Sequence, residues 1–239
     1  MPIPRRGDIY AGRDVLEVPT YSLPEAAHYV RIPAATLRSW VIGQSYPTEQ
    51  GEKWARTLIF IADREHRLMS FINLVEVHVL DAIRREHRVH LSRVRQALDY
   101  LQRRFPSEHP LAEQAMETDG RDLFVEKYGA LINVSREGQT TMRNLLDAHL
   151  GRVERDAKGV PIRLYPFTRK RQPDEPKAIV IDPRVAFGRP VLAHSGIPTA
   201  VIAERYKAGE SIQELAEDYG REPSEIEGAI RCELGIEAA

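Results

Sequence analysis

Residues 21–43 of the chain read YSLPEAAHYVRIPAATLRSWVIG, and this stretch predicts two short helices joined by a tight turn. Ser22 is followed three residues later by Glu25, which is the arrangement of a capping box at the start of a helix. Pro33 interrupts that helix, and a second helix is expected over residues 34–42, before a glycine. Two short helices with this spacing are typical of a helix-turn-helix, which predicts a DNA-binding motif.

The second helix is expected to have one buried and one exposed face. Leu37 and Trp40 can pack on the first helix, which leaves Thr36, Arg38 and Ser39 pointing outward. Two hydroxyls and a guanidinium on an exposed helix can reach phosphates and base edges in a major groove. We therefore predict that these three residues bind DNA.

A hairpin, or wing, is expected after the two helices. Residues 56–61 and 68–69 have the composition of strands, and the polar stretch 62–67 between them predicts a turn. Cationic side chains of a wing can contact the phosphates beside a recognition helix, although most exposed arginines are simply solvated. The cations predicted to bind DNA here are Arg56, Arg64 and Arg67.

Two apolar helices are expected after the wing. The segment from residue 70 is apolar on more than one side, and residues 91–105 carry apolar side chains at spacings of three and four. A seam of this kind can pack on a neighbouring helix or on a second subunit. We expect a homodimer, and the residues predicted for its interface are Phe71, Leu74, Leu91, Val94, Leu98 and Leu101.

The rest of the chain is expected to form a small mixed α/β middle region, residues 111–170, and a C-terminal three-helix domain, residues 178–239. With residues 1–20 as an arm and residues 21–110 as the winged helix-turn-helix with its long helices, the predicted fold class is mainly α with small β elements. In the middle region the pattern predicts strands over residues 123–128, 130–135 and 162–167, and a helix over residues 140–150.

Composition limits the classes of site. Cys232 is the only cysteine, which rules out an intrachain disulfide and a cysteine-rich zinc site. No apolar run approaches the roughly 20 residues needed to span a bilayer, so the expected location is the cytoplasm. The net charge is +3 over residues 1–110, +1 over residues 111–170 and −5 over residues 171–239, so the front can face phosphate while the back faces another partner.

An enzyme is not expected, and neither a cofactor nor a metal is expected. The sequence has no phosphate-binding glycine loop and no nucleophile elbow. His87 and His90 could lie on one helix face, but no third metal ligand accompanies them. The alternative class is a nuclease-like enzyme, which hydrolysis of RNA or DNA with magnesium or manganese would reveal.

Residues 21–69 resemble the winged helix-turn-helix of MerR-type regulators, whose Ala-Ala and Thr-Leu-Arg-x-Trp segments are similar to residues 26–27 and 36–40. No effector cysteines follow, which argues against metal or redox sensing.

Because the last helix of the chain begins among acidic residues that phosphates would repel, the C-terminal domain is expected to contact protein rather than DNA.

Residues 178–235 resemble a small three-helix domain of unknown function that is common in prokaryotic antitoxins encoded beside PIN-like toxins. The similar segments are residues 181–183, 188–192, 196–199 and 209–216, while residues 194–198 read His-Ser-Gly-Ile-Pro where the family usually has Gly-Thr-Arg-Ile-Pro. The whole chain is similar to long VapB-type antitoxins. The resemblance implies a PIN-type ribonuclease toxin as partner and operator DNA as ligand.

The charge split then predicts that the toxin is held beyond residue 110 and that DNA binding survives without that part. The alternative function is a MerR-like transcriptional regulator that responds to another protein or to a ligand.

Overall fold

The computed structural model describes residue 10 and residues 12–48, 51–55, 57–85, 91–113, 116, 119–132, 136–169 and 174–235. Within these ranges the protein is mainly helical with short antiparallel strand pairs, which confirms the predicted fold class. The N-terminal elements are β1 (Tyr21–Ser22), α1 (Leu23–Tyr29), α2 (Ala34–Val41), β2 (Gln44–Thr48), β3 (Gly51–Ala55) and β4 (Leu68–Met69). The central elements are α3 (Phe71–Arg85), α4 (Leu91–Arg104), α5 (Asp119–Ile132), α6 (Arg136–Leu150), β5 (Val153–Arg155) and β6 (Pro161–Leu164). The C-terminal elements are β7 (Ile179–Val180), β8 (Val191–Leu192), α7 (Thr199–Lys207), α8 (Ile212–Tyr219) and α9 (Pro223–Leu234).

The wing lies earlier in the chain than predicted. Strands β2 and β3 pair with each other, and Gly51 has a φ of +108° at their connection, which favours glycine. The strand predicted over residues 56–61 is absent from its described part, residues 57–61. Strand β4 instead pairs with β1, so that Met69 is opposite Tyr21. Both of these side chains are buried, and their burial explains why β4 pairs with the start of the helix-turn-helix.

The residues predicted for a dimer interface lie in the core of the single chain. Phe71 and Leu74 of α3 are 1% and 0% exposed, and Val94, Leu98 and Leu101 of α4 are also buried. The side chain of Leu91 lies outside the described residues. The apolar seam of α4 packs within the chain's own core, so the five described residues lie inside the single chain and are not available to a second subunit, contrary to the prediction.

The two strands predicted over residues 123–128 and 130–135 are also wrong. Residues 123–132 belong to helix α5, and residues 133–135 lie outside the described residues. Phe124, Val125 and Gly129 are buried with helical spacing, and a Cβ on Gly129 would come within 2.9 Å of a side chain of α6. This glycine therefore permits close helix packing rather than a turn between strands. The helix predicted over residues 140–150 is confirmed within α6.

One apolar core extends across residue 110. Leu37 of α2 and Leu80 of α3 share a cluster with Leu111, Phe124 of α5 and Leu146 of α6. A fragment ending at residue 110 would expose this shared core to water, so the expectation that the front of the chain binds DNA by itself is not supported.

The C-terminal domain contains the three predicted helices. Ser211 and Glu214 form the expected capping box of α8, and Gly220 ends that helix with a left-handed φ of +59°. A separate apolar cluster joins α7, α8 and α9 to strands β7 and β8. In the described ranges, every helix is too short or too polar to cross a membrane.

Candidate nucleic-acid interface

Helix α1 begins with the predicted capping box. The Glu25 amide donates to Ser22 Oγ at 3.4 Å, and the Ser22 amide donates to Glu25 Oε2 at 3.0 Å. Arg189 of the C-terminal domain forms an ion pair with the same carboxylate. Burial opposes ionisation of Glu25, but the hydrogen bonds from Arg189 and Ser22 outweigh it, and the pKa of Glu25 is lowered. The start of the helix-turn-helix is thereby fixed from two sides.

The turn between the helices is held by a residue that is far away in the sequence. Arg31 has a left-handed φ of +57°, and its guanidinium donates to the carbonyl oxygen of Thr168. The Ile32 amide donates to the carbonyl oxygen of Ala27 at 2.9 Å, which closes the turn against α1. These contacts set the angle at which α2 leaves α1.

Helix α2 has the two faces expected of a recognition helix. Leu37 and Trp40 are 0% and 1% exposed and pack toward α1, as predicted. Ala34, Ala35 and Arg38 are exposed on the other side. Because two alanines leave the start of α2 nearly flat, this surface can approach a groove closely, with the guanidinium of Arg38 beside it.

Ser39 does not face outward as predicted. It is 9% exposed, and its hydroxyl donates to the carbonyl oxygen of Thr36 at 2.7 Å. Thr36 itself is half-buried. Ser39 lies beside the buried Trp40 on α2, so Arg38 is the exposed member of the three predicted contacts.

The predicted wing cations occupy different settings. Arg56 lies outside the described residues. Arg64 and Arg67 are exposed in a tight turn closed by paired backbone hydrogen bonds between Asp63 and Leu68. Hydrogen bonds from the backbone and ring of His66 lower the pKa of Asp63 and keep the turn capped. This turn follows the wing and does not form its tip.

The structure also places on this surface a residue that the sequence did not predict. Trp54 of β3 is 62% exposed on the wing. A glycine between two stretches with aromatic residues, at residue 51, is the sequence signal that could have located this hairpin. The loop after the wing is tied to α2, since the amides of Leu58 and Ile59 both donate to the carbonyl oxygen of Trp40, at 2.7 and 3.3 Å.

Two family profiles match the chain. Residues 19–98 match a family described as "Putative DNA-binding HTH domain", and residues 179–231 match one described as "Protein of unknown function (DUF433)". A relative from Mycobacterium tuberculosis strain H37Rv, named "Putative antitoxin VapB45", is 30% identical over 234 residues, covering 90% of this chain and 93% of the relative. The chain belongs to the VapB45 family.

Two further proteins from the same organism are similar over nearly their whole length. The "Uncharacterized protein Rv2308" is 26% identical over 224 residues, covering 90% of each chain. The X-ray crystal structure of Rv2018 is 25% identical, with a TM-score of 0.63 over 90% of this chain and 98% of that chain. The similarity to Rv2018 extends across both the helix-turn-helix and the C-terminal domain, so the two modules occur together in one chain outside this protein as well.

Proposed function

We propose that this member of the VapB45 family is an antitoxin that binds operator DNA through α2 and neutralises a PIN-type ribonuclease by direct binding. We infer DNA binding from the exposed face of α2. Arg38 is exposed on that face, while Leu37 and Trp40 anchor the opposite face in the core. Binding of its own operator would let the protein repress the operon that encodes it.

In this proposal Arg38 contacts a base edge or a phosphate, and Ala34 and Ala35 allow the helix to enter the major groove. An arginine that donates both guanidinium nitrogens to guanine supplies roughly 1–3 kcal/mol of discrimination. Arg64 and Arg67 in the turn after the wing, together with Arg56, contact the flanking phosphates. Two copies of the chain read two half-sites, because a single winged module buries little surface on DNA.

The C-terminal helices are the proposed site for the toxin. Residues 199–235 contain nine acidic and four basic residues, for a net charge of −5. Glu204, Glu214 and Glu217 are exposed on this domain. An acidic surface of this kind repels DNA and complements the basic rim with which a ribonuclease holds RNA.

The proposal is tested with the full-length chain and the product of the neighbouring gene. We expect the two proteins to co-purify from co-expressing cells and expect the chain to inhibit RNA cleavage at equimolar ratio. In footprinting, the chain should protect a palindromic site upstream of its own gene. Sedimentation with and without that DNA tests for the dimer. A neighbour that does not bind, or a promoter that is not protected, would remove the corresponding half of the proposal.

A second function, a transcriptional regulator that responds to a small ligand, is favoured by one observation. A cavity of about 380 Å³ lies between the wing and α4, next to the end of α2. Such a regulator would bind the same operator, but its affinity for DNA would change with a metabolite rather than with a toxin.

A further inference from the structure

We propose that the cavity between the wing and α4 binds a small organic cation with a planar apolar body, and that its occupancy changes operator affinity. The second half of this statement rests on the proposed DNA-binding function; the first half does not. The cavity of about 380 Å³ falls in the range of roughly 300–1,000 Å³ that is typical of small-molecule sites. Trp54, Phe60, Glu76 and Asp99 are among the residues that line it.

Glu76 supplies the charge that would recognise a cation. The residue is 2% exposed, yet it lines the cavity. Asn73 Nδ2 donates to its Oε2 at 3.2 Å, and His109 Nδ1 lies 3.0 Å from the same oxygen. Within the part of the chain that the structure describes, Oε1 has no hydrogen bond, so it remains available to a donor in the cavity. Burial raises the pKa of Glu76 against the opposing effect of His109, and a bound cation would favour the ionised carboxylate.

The apolar part of the ligand has two aromatic walls. Trp54 and Phe60 are 62% and 61% exposed, and both line the cavity. Large aromatic side chains with this exposure at the mouth of a cavity are typical of a surface that is covered when the ligand binds. Aromatic faces also attract a cation through their quadrupole, so the walls and the carboxylate favour the same ligand.

The other charged residues around the cavity decide whether it favours a positively or a negatively charged ligand. Asp99 and Glu108 add two carboxylates to the lining, and Arg64 and Arg95 add two guanidinium groups. Arg64 is exposed, so water and salt screen its charge, while Arg95 is half-buried and engaged within the chain. The deeply buried Glu76 is screened least, but His109 offsets part of its charge: burial lowers the pKa of His109, Glu76 raises it, and the net change is an increase. Because His109 contacts Oε2 and leaves Oε1 to the cavity, Glu76 together with Asp99 and Glu108 favours a cation over an anion.

A short chain of hydrogen bonds leads from the cavity to the recognition helix. Asn73 Nδ2 donates both to Glu76 Oε2 and, at 2.9 Å, to the carbonyl oxygen of Phe60. Two residues earlier in the loop, the Leu58 amide donates to the carbonyl oxygen of Trp40 on α2 at 2.7 Å. A ligand that contacts Glu76 and the aromatic walls would thus stabilise one position of the wing relative to α2, which changes the fit of both to DNA.

The binding half is tested by calorimetry on the full-length chain without DNA. Three probes share one ring system and differ in charge: 1-naphthylmethylammonium, 1-naphthylmethanol and 1-naphthoate. We expect the ammonium probe to bind about tenfold or more tightly than the neutral alcohol, because the buried carboxylate pairs with it, and expect naphthoate to bind most weakly. Tightest binding of naphthoate, or no binding of any probe, would overturn the site.

Variants locate the binding. Glu76→Gln should abolish the preference for the cation, and Trp54→Ala, at an exposed position that does not endanger folding, should weaken its binding severalfold. Phe187→Ala removes another exposed aromatic residue that is not in the lining, and should leave binding unchanged. If the Phe187 variant lost as much affinity as the Trp54 variant, the probe would be binding elsewhere on the surface.

The regulatory half is tested by operator titration with and without saturating 1-naphthylmethylammonium. We expect operator affinity to change several-fold for the native chain and to stay constant for Glu76→Gln, which also controls for binding of the probe to DNA. An operator affinity that is insensitive to the probe would overturn the coupling alone. Failure of the chain to bind any operator, with calorimetric binding intact, would count against the proposed function and leave the cavity assignment standing.

Discussion

The hydroxyl of Tyr21 donates a hydrogen bond to the carbonyl oxygen of Gly188 at 3.0 Å, although the two residues are 167 positions apart. The contact is buried and joins strand β1, at the entrance of the helix-turn-helix, to the C-terminal domain. Burial raises the pKa of Tyr21, so the hydroxyl stays protonated and remains a donor at neutral pH. The ion pair between Arg189 and Glu25 lies next to it in sequence, and together the two contacts fix the orientation of α1 against the C-terminal domain.

Gly188→Ala should destabilise the protein strongly. Gly188 has a φ of +75°, and a Cβ there would lie 2.3 Å from the Tyr21 hydroxyl oxygen. Left-handed strain and the collision together are expected to lower the free energy of unfolding by about 2–5 kcal/mol, measured by urea denaturation. Gly220→Ala is the matched control, because Gly220 has a φ of +59° and nothing within 4 Å of the added Cβ. Equal losses in the two variants would show that the Tyr21 contact contributes nothing.

Arg38→Ala should weaken operator binding by about 1–3 kcal/mol while the free energy of unfolding stays unchanged. The expected split follows from the exposure of Arg38 on the face of α2 opposite Leu37 and Trp40. Operator affinity is measured by gel-shift titration at fixed salt, and stability by urea denaturation.

The control for Arg38→Ala is Lys207→Ala, which removes one positive charge from an exposed position at the end of α7. It should leave operator affinity within the small change expected from long-range charge alone. If both variants bound the operator as tightly as the native chain, α2 would not be the helix that enters the groove.

The helix-turn-helix could be predicted because its signals are local. Ser22, Glu25 and Pro33 each affect only the backbone within about one helical turn. The structure has the capping box and the interruption between the helices where the sequence predicts them. The same holds for Ser211 and Gly220 in the C-terminal domain. Signals that act over a few residues do not depend on how the rest of the chain folds.

The wing and the core assignments could not be predicted, because they depend on distant partners. The pairing of Leu68–Met69 with Tyr21–Ser22 joins segments almost fifty residues apart. A strand-like composition predicts a strand but does not predict which other strand it pairs with. The seam of α4 is apolar whether α5 or a second subunit covers it, and the sequence pattern is the same in both cases. The cavity lined by Glu76 is formed by several separate segments of the chain, so no local sequence motif predicts it.

Arg152→Lys should lower the free energy of unfolding by about 2–4 kcal/mol, since a lysine cannot satisfy the acceptors of a guanidinium. Arg152 is 2% exposed, and its nitrogens donate to the carbonyl oxygens of Tyr165 at 2.8 Å, Glu175 at 2.5 Å and Pro166 at 3.2 Å. These bonds hold the segment that leads into the C-terminal domain. Arg184→Lys, at an exposed position, is the control and should change stability by less than about 0.5 kcal/mol. Similar unfolding curves for the two variants would contradict the role of Arg152.

The stability of the protein should decrease in acid through His78. Burial, and then the charge of nearby His149 and Arg152 against that of Asp81, lowers the pKa of His78 from 6.5 to about 3. Below pH 6.5 the unfolded chain binds a proton at this residue that the folded chain does not, so the free energy of unfolding falls by about 1.4 kcal/mol per pH unit until pH 3. His78→Gln keeps an amide donor for the His149 carbonyl oxygen, which His78 Nε2 contacts at 3.1 Å, but cannot titrate. We expect the free energy of unfolding, measured by urea denaturation between pH 6 and pH 4, to fall less steeply with decreasing pH in the variant, by about 1.4 kcal/mol per pH unit. The carboxylates contribute equally to both proteins. Parallel plots of the free energy of unfolding against pH would show that His78 binds its proton in the folded state as readily as in the unfolded chain.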